Sequence, residues 1–208
     1  MNLESLISTN IAQLPVKVSS QQLAQFVSII ERLEKWNKAY NLTAIRNVAD
    51  MVTLHLFDSL VIAPYLAPGR VLDVGTGPGF PGIPLAILLP NRSFYLLDSN
   101  GKKTRYMKQL VHEMGLSNVT VVDSRVEQWQ PDQPFDVIVS RAFASLDKMV
   151  KLTDHLLSST GCWQAMKGTR SDNEQQLLPS GISVESIEAL DVPGLNAERH
   201  LITLKKQQ

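Results

Sequence analysis

A short apolar run, Val71-Leu72-Asp73-Val74, leads into Gly75-Thr76-Gly77-Pro78-Gly79-Phe80-Pro81-Gly82, where glycine recurs every second or third residue. Few folds use that combination. It describes a buried strand, then a turn whose glycines permit sharp bends and let a ligand approach the main chain. A helix follows, with its first N–H groups unpaired. Two ligands compete for such a loop. Gly77-x-Gly79-x-x-Gly82 fits the dinucleotide fingerprint. Gly75-x-Gly77-x-Gly79, with Asp73 two residues upstream, fits a loop that binds S-adenosylmethionine. The second reading is favoured. A pyrophosphate needs free N–H groups at the helix start, and Pro78 and Pro81 remove two of them. A carboxylate at Asp73 also repels phosphate, whereas it suits a ligand carrying an ammonium and a sulfonium. A purely structural turn needs neither Asp73 nor four glycines.

The rest of the chain fits an α/β fold built from that first unit. After the Pro68-Gly69 turn, strand-like runs occur at Arg70–Val74, Ser93–Leu97, Asn118–Val122, Asp136–Ser140 and Cys162–Met166. Helical segments at Gly82–Leu89, Lys102–Met114 and Leu146–Leu157 and a short turn near Arg125–Trp129 separate them, which implies right-handed βαβ units and a parallel sheet. Ser183–Leu190 and His200–Lys205 suggest a final strand pair, and 168–181 reads as a loop with a frayed helix. Residues 1–64 read as helical. Ser19 and Gln22 form a capping-box pattern. Leu23, Phe26, Val27, Ile30 and Leu33 then recur at helical spacing, and this helix ends near Asn37 to Asn41. A second helix follows Asn47 through Met51, Leu54, Leu60 and Val61 to a stop at Pro64.

Function classes narrow further on charge and cysteine. The 208 residues are 44% hydrophobic and 19% charged, ordinary for a globular chain. Twenty Lys and Arg against twenty Asp and Glu leave no net charge. A purely electrostatic nucleic-acid binder is normally basic, so RNA contacts here have to be local. One candidate is Arg92, Lys102, Lys103, Arg105 and Lys108, with only Asp98 against them. Another is Lys35-Trp36-Asn37-Lys38-Ala39-Tyr40, where cations alternate with aromatics that can stack on unpaired bases. The competing reading of both is a solvated helix face, with Trp36 and Tyr40 packing the cap onto the sheet. The single Cys162 excludes an intrachain disulfide and a cysteine metal cluster. The N-terminus lacks the features of a secretory signal, and no apolar run approaches the roughly 18 residues of a membrane span. The expectation is a cytoplasmic protein with no membrane and no metal.

The strand ends supply the candidate site. Asp98 closes the second strand run, near the roughly 20-residue offset of an acid that binds a ribose diol. Its alternative is a helix cap, for which Ser99 or Asn100 is better placed. After the third strand, Asp123 or Glu127 can meet an adenine amine, and an apolar neighbour can cover the ring; spacing does not choose between them. Arg141 leaves the fourth strand, where it can hold RNA phosphate or the cofactor carboxylate, or else pair with Asp136 or Asp147. Lys167-Gly168 faces the same rim. His55 and His155, the residues otherwise suspected as bases, read as structural.

In this order, VLDVGTGPGFPGIPLA, LLDSNGKK, RVEQW, VSRAFASL and MKG resemble the small-subunit rRNA guanine-N7 methyltransferase family, also called glucose-inhibited division protein B. EKWNKAYNLTAI and HLFDSL are similar to that family's helical cap. The resemblance runs from about residue 20 to 204. The glycine loop alone marks only a superfamily; VGTGPGFPG with SRAFAS and WNKAYNLT is far more specific. The resemblance implies a Rossmann-like class I methyltransferase, its seven-stranded sheet mostly parallel with the last strand antiparallel. It implies an N-terminal helical cap, 1–64, and a methyltransferase domain, 65–208, in one compact unit. It also implies that Gly75, Phe80, Val126, Glu127 and Arg141 bind S-adenosylmethionine, which selects Val126-Glu127 over Asp123. Gly77 and Asp98 join that set from the loop and strand reading above. The implied substrate is a guanine in the decoding region of 16S rRNA, free or in the 30S particle. A monomer is expected. N7 already presents a lone pair, so no dedicated base is needed and no catalytic residue is named. The enzyme has to align N7, methyl carbon and sulfur and exclude water. The competing functions are methyl transfer to a small molecule or protein, NAD-dependent oxidoreduction, and RNA binding without catalysis.

Overall fold

The structure, a computed structural model, describes residues 2–168 and 176–207. Helices α1 (Leu3–Ile11) and α2 (Ser20–Tyr40) open the chain. The Ser19 hydroxyl accepts from Gln22 N at 3.2 Å, and the Gln22 side chain accepts from Ser19 N at 2.9 Å, so two orphan donors are satisfied at the start of α2. Asn41 ends α2 in the left-handed conformation, with φ 54°. The buried face of α2 is Phe26, Ile29, Ile30, Leu33 and Asn37. Each apolar member is worth at most about 1.5–3 kcal/mol of burial.

α3 (Val48–Met51) runs into a π-helical stretch, Val52–Phe57, and then the turn α4 (Asp58–Leu60). The helical run Val48–Tyr65 has mean hydropathy 1.2 and is long and apolar enough to cross a membrane by length and composition. That corrects the expectation that no run approaches such a length. Its apolar side chains Met51, Val52, Leu56, Phe57 and Leu60 belong to the protein core.

The rest of the chain is β1 (Val71–Val74), α5 (Gly82–Leu88), β2 (Phe94–Asp98), α6 (Gly101–Glu113), β3 (Val119–Asp123), β4 (Phe135–Arg141), α7 (Leu146–Thr153), β5 (Leu157–Lys167), β6 (Ile182–Ala189) and β7 (His200–Lys206). The order β3-β2-β1-β4-β5-β7-β6 forms one sheet. β1 to β5 are parallel, while β7 runs antiparallel to both β5 and β6. Alternation along β1 shows how both faces are covered. Val71 joins a core with Phe26, Ile83 and Met107 on the cap side; Leu72 and Val74 join Leu146, Met149 and Trp163 on the α7 side. The loop and frayed helix expected at 168–181 fall mostly outside the described residues.

Two members of the expected RNA-contact segments do structural work. Arg92 donates to the carbonyls of Leu66, Ala67 and Gly69, latching the turn before β1. Trp36 lies between Tyr40, at 5.0 Å, and Tyr106 of α6, at 5.4 Å. It packs the cap onto the sheet's covering helix, leaving Tyr40 44% exposed.

Candidate cofactor and substrate site

Parallel pairing puts the exits of β1 to β5 on one edge of the sheet. Neighbours β1 and β4 lead to opposite halves of it, so the gap between their ends is the switch point where open α/β sheets hold ligands. Gly75 follows β1 there and Arg141 ends β4. Gly75 has φ 66°, and a Cβ on it would meet Phe143 Cδ2 at 2.5 Å. Only glycine fits both the left-handed turn and that approach. Ala142, between Arg141 and Phe143, is also left-handed, with φ 52°.

The glycine loop spends its own donors. Gly75 and Thr76 donate to Leu97 O, Gly79 and Phe80 to Thr76 O, and Ile83 to Gly79 O. Gly77 donates to Asp98 Oδ2 at 2.9 Å and Gly82 to Asp73 Oδ2 at 2.8 Å. With Pro78 and Pro81 lacking N–H groups, no main-chain donor from 75 to 83 is left for a pyrophosphate. The dinucleotide reading fails on that geometry. Asp73 differs from expectation too. It is fully buried, Oδ2 also accepts from Thr76 Oγ1 at 2.6 Å, and Oδ1 has no partner. Asp73 braces the loop from beneath. Burial raises its pKa to about 6, against the lowering effects of Thr76, Gly82 and Arg141.

Two hollows open on either side of Gly75. One, of about 260 Å³, is lined by Asp98, Ser124, Val126, Glu127 and Phe143 among others. Asp98 lines it, with Oδ2 accepting from Gly77 N and Oδ1 from Asn100 N, while Asn100 caps α6 in its place. Val126 is buried and Glu127 exposed. Asp123 is tied to Thr104 Oγ1 at 2.8 Å and does not line this hollow.

The second hollow, of about 660 Å³, is lined by Gly75, Gly77, Phe80, His55, Asp58, Lys103, Arg141, Lys167, Gly168 and Arg199, among others. A polar network joins its walls. Arg141 donates to Leu54 O, to Asp58 Oδ2 at 3.1 Å and to His55 Nδ1 at 2.9 Å. Arg199 Nε donates to the other oxygen, Asp58 Oδ1, at 3.0 Å. A guanidinium only donates, so His55 Nδ1 accepts and Nε2 carries the proton. Nε2 donates it to Thr43 Oγ1 at 3.0 Å. Burial, helped by Arg141, lowers the His55 pKa to about 3, so the ring stays neutral. It stacks on Phe80 at 4.8 Å. His155 is exposed, with Nε2 3.4 Å from Trp129 O.

Arg141 therefore has an intramolecular partner, but not Asp136 or Asp147. Asp136 accepts from Arg70 N, and Asp147 from Ser145 and Lys151. Asp58, Arg199 and Thr43 were missed in the sequence. One signal was available. Asp58 interrupts an apolar helical run, and a buried acid requires partners. Asn37, read within an RNA-contact segment, is buried; it bonds Ile45 O and Thr43 N and so sets the loop carrying Thr43. Among the described residues, no group of three His, Cys, Asp or Glu is placed to hold a metal.

A sequence model for rRNA small subunit methyltransferase G matches residues 21–202. A Vibrio atlanticus protein named ribosomal RNA small subunit methyltransferase G is 48% identical over 198 residues, covering 95% of this chain and 94% of that one. Its Cronobacter sakazakii counterpart is 50% identical over 190 residues, covering 91% and 92%. Among solved structures, a glycopeptide N-methyltransferase complexed with S-adenosylmethionine superposes with TM-score 0.59 at 11% identity, covering 74% of this chain and 88% of its own. A precorrin-6y C5,15-methyltransferase from Geobacter metallireducens gives 0.53 at 17% identity, covering 81% and 92%. These structures share the class I methyltransferase fold.

Proposed function

The chain belongs to the rRNA small subunit methyltransferase G family, and from that premise we propose that it transfers the methyl group of S-adenosylmethionine to N7 of a guanine in 16S rRNA. The observation that carries the choice of N7 is that the described residues of the larger hollow offer no available base. Among the described residues its one carboxylate, Asp58, is held by two arginines, and its one imidazole, His55, is neutral with both nitrogens engaged. An acceptor that must first lose a proton would be poorly served there. N7 needs alignment alone.

In this reading the smaller hollow takes the adenosine, with Asp98 on the ribose and Val126 and Glu127 at the adenine. The methionyl part passes Gly75 and Gly77 toward Phe80 and Arg141. The hollows fit such a ligand because both are lined by Gly75, where a Cβ would meet Phe143. The cap, 1–64, and the methyltransferase domain, 65–208, work as one compact unit. The enzyme acts as a monomer in the cytoplasm, needs no metal, and meets its rRNA free or in the 30S particle. The exposed Lys102, Arg105 and Lys108 of α6 supply outer phosphate contacts.

The test is transfer of labelled methyl groups to 30S particles and to naked 16S rRNA lacking the modification. Borohydride and aniline then cleave the product at 7-methylguanine. A single cleavage site is expected. Cofactor binding without label in either RNA would point to a small-molecule or protein acceptor.

A further inference from the structure

We propose that Arg199 holds the phosphate of the acceptor nucleotide and that Asp58 is the residue that positions it, an inference that rests on the rRNA methyl-transfer reading above. The starting observation is a charge imbalance among the described residues. The Asp58 side chain is 4% exposed and carries one negative charge between two permanent positive ones, Arg141 and Arg199, themselves only 17% and 23% exposed. Lys103 lines the same hollow. Concentrating cations in a partly desolvated space is costly unless an anion arrives. The cofactor does not correct it, because its one carboxylate is outweighed by its ammonium and sulfonium. A phosphodiester of the acceptor RNA does.

The hydrogen bonds show which arginine is available. Arg141 is committed to Leu54 O, Asp58 and His55. Arg199 gives Nε to Asp58 and Nη1 to Glu198 O, and its Nη2 has no partner among the described residues. Asp58 therefore fixes one edge of the guanidinium and leaves donors of the other for a ligand. Sheet order gives the direction. The adenosine hollow lies over β2 and β3, Gly75 and Arg141 lie at β1 and β4, and Arg199 immediately precedes β7 beside Gly168 at the end of β5. Donor and acceptor can then approach the switch point from opposite sides.

Guanine chemistry decides what Arg199 touches. The familiar arginine fork on guanine occupies O6 and N7. That contact would cover the atom to be methylated. A phosphate contact holds the nucleotide and leaves N7 open to the sulfonium methyl, so Arg199 positions the acceptor without reading its base.

The test uses Arg199→Gln, Arg199→Lys and Asp58→Asn with unmodified 30S particles, measuring KM, kcat, the salt dependence of RNA binding, S-adenosylhomocysteine affinity and melting temperature. Arg199→Gln should raise KM about tenfold, lower the salt slope by about one, and change cofactor affinity less than about twofold. Arg199→Lys should raise KM with the slope retained, because one ammonium cannot serve Asp58 and phosphate as a fork does. Asp58→Asn should also raise KM at an unchanged slope, since both arginines keep their charge but lose their aim. Should Arg199→Gln fail to fold, Arg199→Lys and Asp58→Asn decide. Wild-type KM in those variants, or a loss of cofactor affinity as large as the rise in KM, overturns the proposal. Wild-type enzyme that labels no rRNA overturns the functional reading first, and that failure is visible before any variant is compared.

Discussion

Replacing Asp73 by Asn should make the protein more stable as pH rises, by an amount the buried carboxyl sets. Burial raises its pKa from 3.8 to about 6. The folded state therefore holds a proton that the unfolded state has released between those values. Stability from this group is fully present below about pH 4 and is lost as pH climbs through 6. The shift of about two units is worth about 3 kcal/mol at 1.36 kcal/mol per unit. Asn is close to isosteric. Its one oxygen can accept from both Thr76 and Gly82, as Oδ2 does now, while its amide replaces the unpartnered Oδ1. His55 acts in the opposite sense. Its folded pKa is lowered from 6.5 to about 3, so its contribution is present above 6.5 and lost as pH falls. The two slopes cancel in the wild type between about pH 4 and 6. Urea unfolding at pH 4, 5, 6 and 7, followed by tryptophan fluorescence, should show Asp73→Asn gaining about 3 kcal/mol on the wild type across that range. His55→Gln should show the reverse trend. A wild-type-minus-variant difference that stays flat with pH would refute the reasoning, because it would mean that Asp73 ionises as it does in water.

The other expectations concern the ligand. Gly75→Ala should abolish S-adenosylhomocysteine binding in calorimetry, because its Cβ meets Phe143 Cδ2 at 2.5 Å at a backbone φ of 66°; adding Phe143→Ala should restore the space but not the roughly 1–2 kcal/mol of left-handed strain. Asp98→Ala should weaken cofactor binding by about 1.5–3 kcal/mol, the scale of hydrogen bonds to a charged group, and Asp98→Asn by less; equal affinity in all three proteins would reduce Asp98 to a brace for Gly77 and Asn100. Arg141→Ala should lower methyl transfer about tenfold to a hundredfold and stability by about 1–3 kcal/mol. The milder stability loss follows because Arg199 remains on Asp58, and near-normal turnover with a collapse in melting temperature would count against a ligand role for Arg141.

What the sequence made legible was periodic or local. The strands of the parallel sheet, the Ser19–Gln22 cap and the glycine turn each announce themselves within about ten residues through alternation, hydroxyl–amide spacing or glycine's freedom. What stayed hidden was pairing across the chain. Asp58 meets residues 83 and 141 positions away, and nothing local marks Arg141 or Arg199 as its partner. The nearby acids Asp136 and Asp147 looked equally suitable for Arg141. Charge type misled at two positions for a related reason. Arg92 counts as a cation in a basic segment, yet its guanidinium turns back onto three carbonyls. Asp73 counts as an acid beside a ligand loop, yet its side chain lies under the loop. Direction of a side chain is set by tertiary packing, which spacing does not encode.

The same network bears on the chemistry of transfer. A positive charge leaves the cofactor sulfur and appears on the guanine ring, so nothing is neutralised overall; the charge only moves. A hollow with unopposed cations at the acceptor end would resist that movement. Asp58 offsets one arginine from a buried position, and in the proposed complex the acceptor's own phosphate offsets the other, so the charge arriving on guanine faces less positive charge than the two arginines alone would present. His55 contributes by remaining uncharged. With its pKa held near 3 by burial and by Arg141, it never adds a further cation beside Phe80. Replacing the ring by a permanent charge at that position would oppose transfer at every pH, whereas a neutral hydrogen-bonding side chain would chiefly loosen Arg141. The chain's zero net charge is thus compatible with an RNA substrate, because the positive charge needed is gathered in the larger hollow and along α6 rather than spread evenly over the surface.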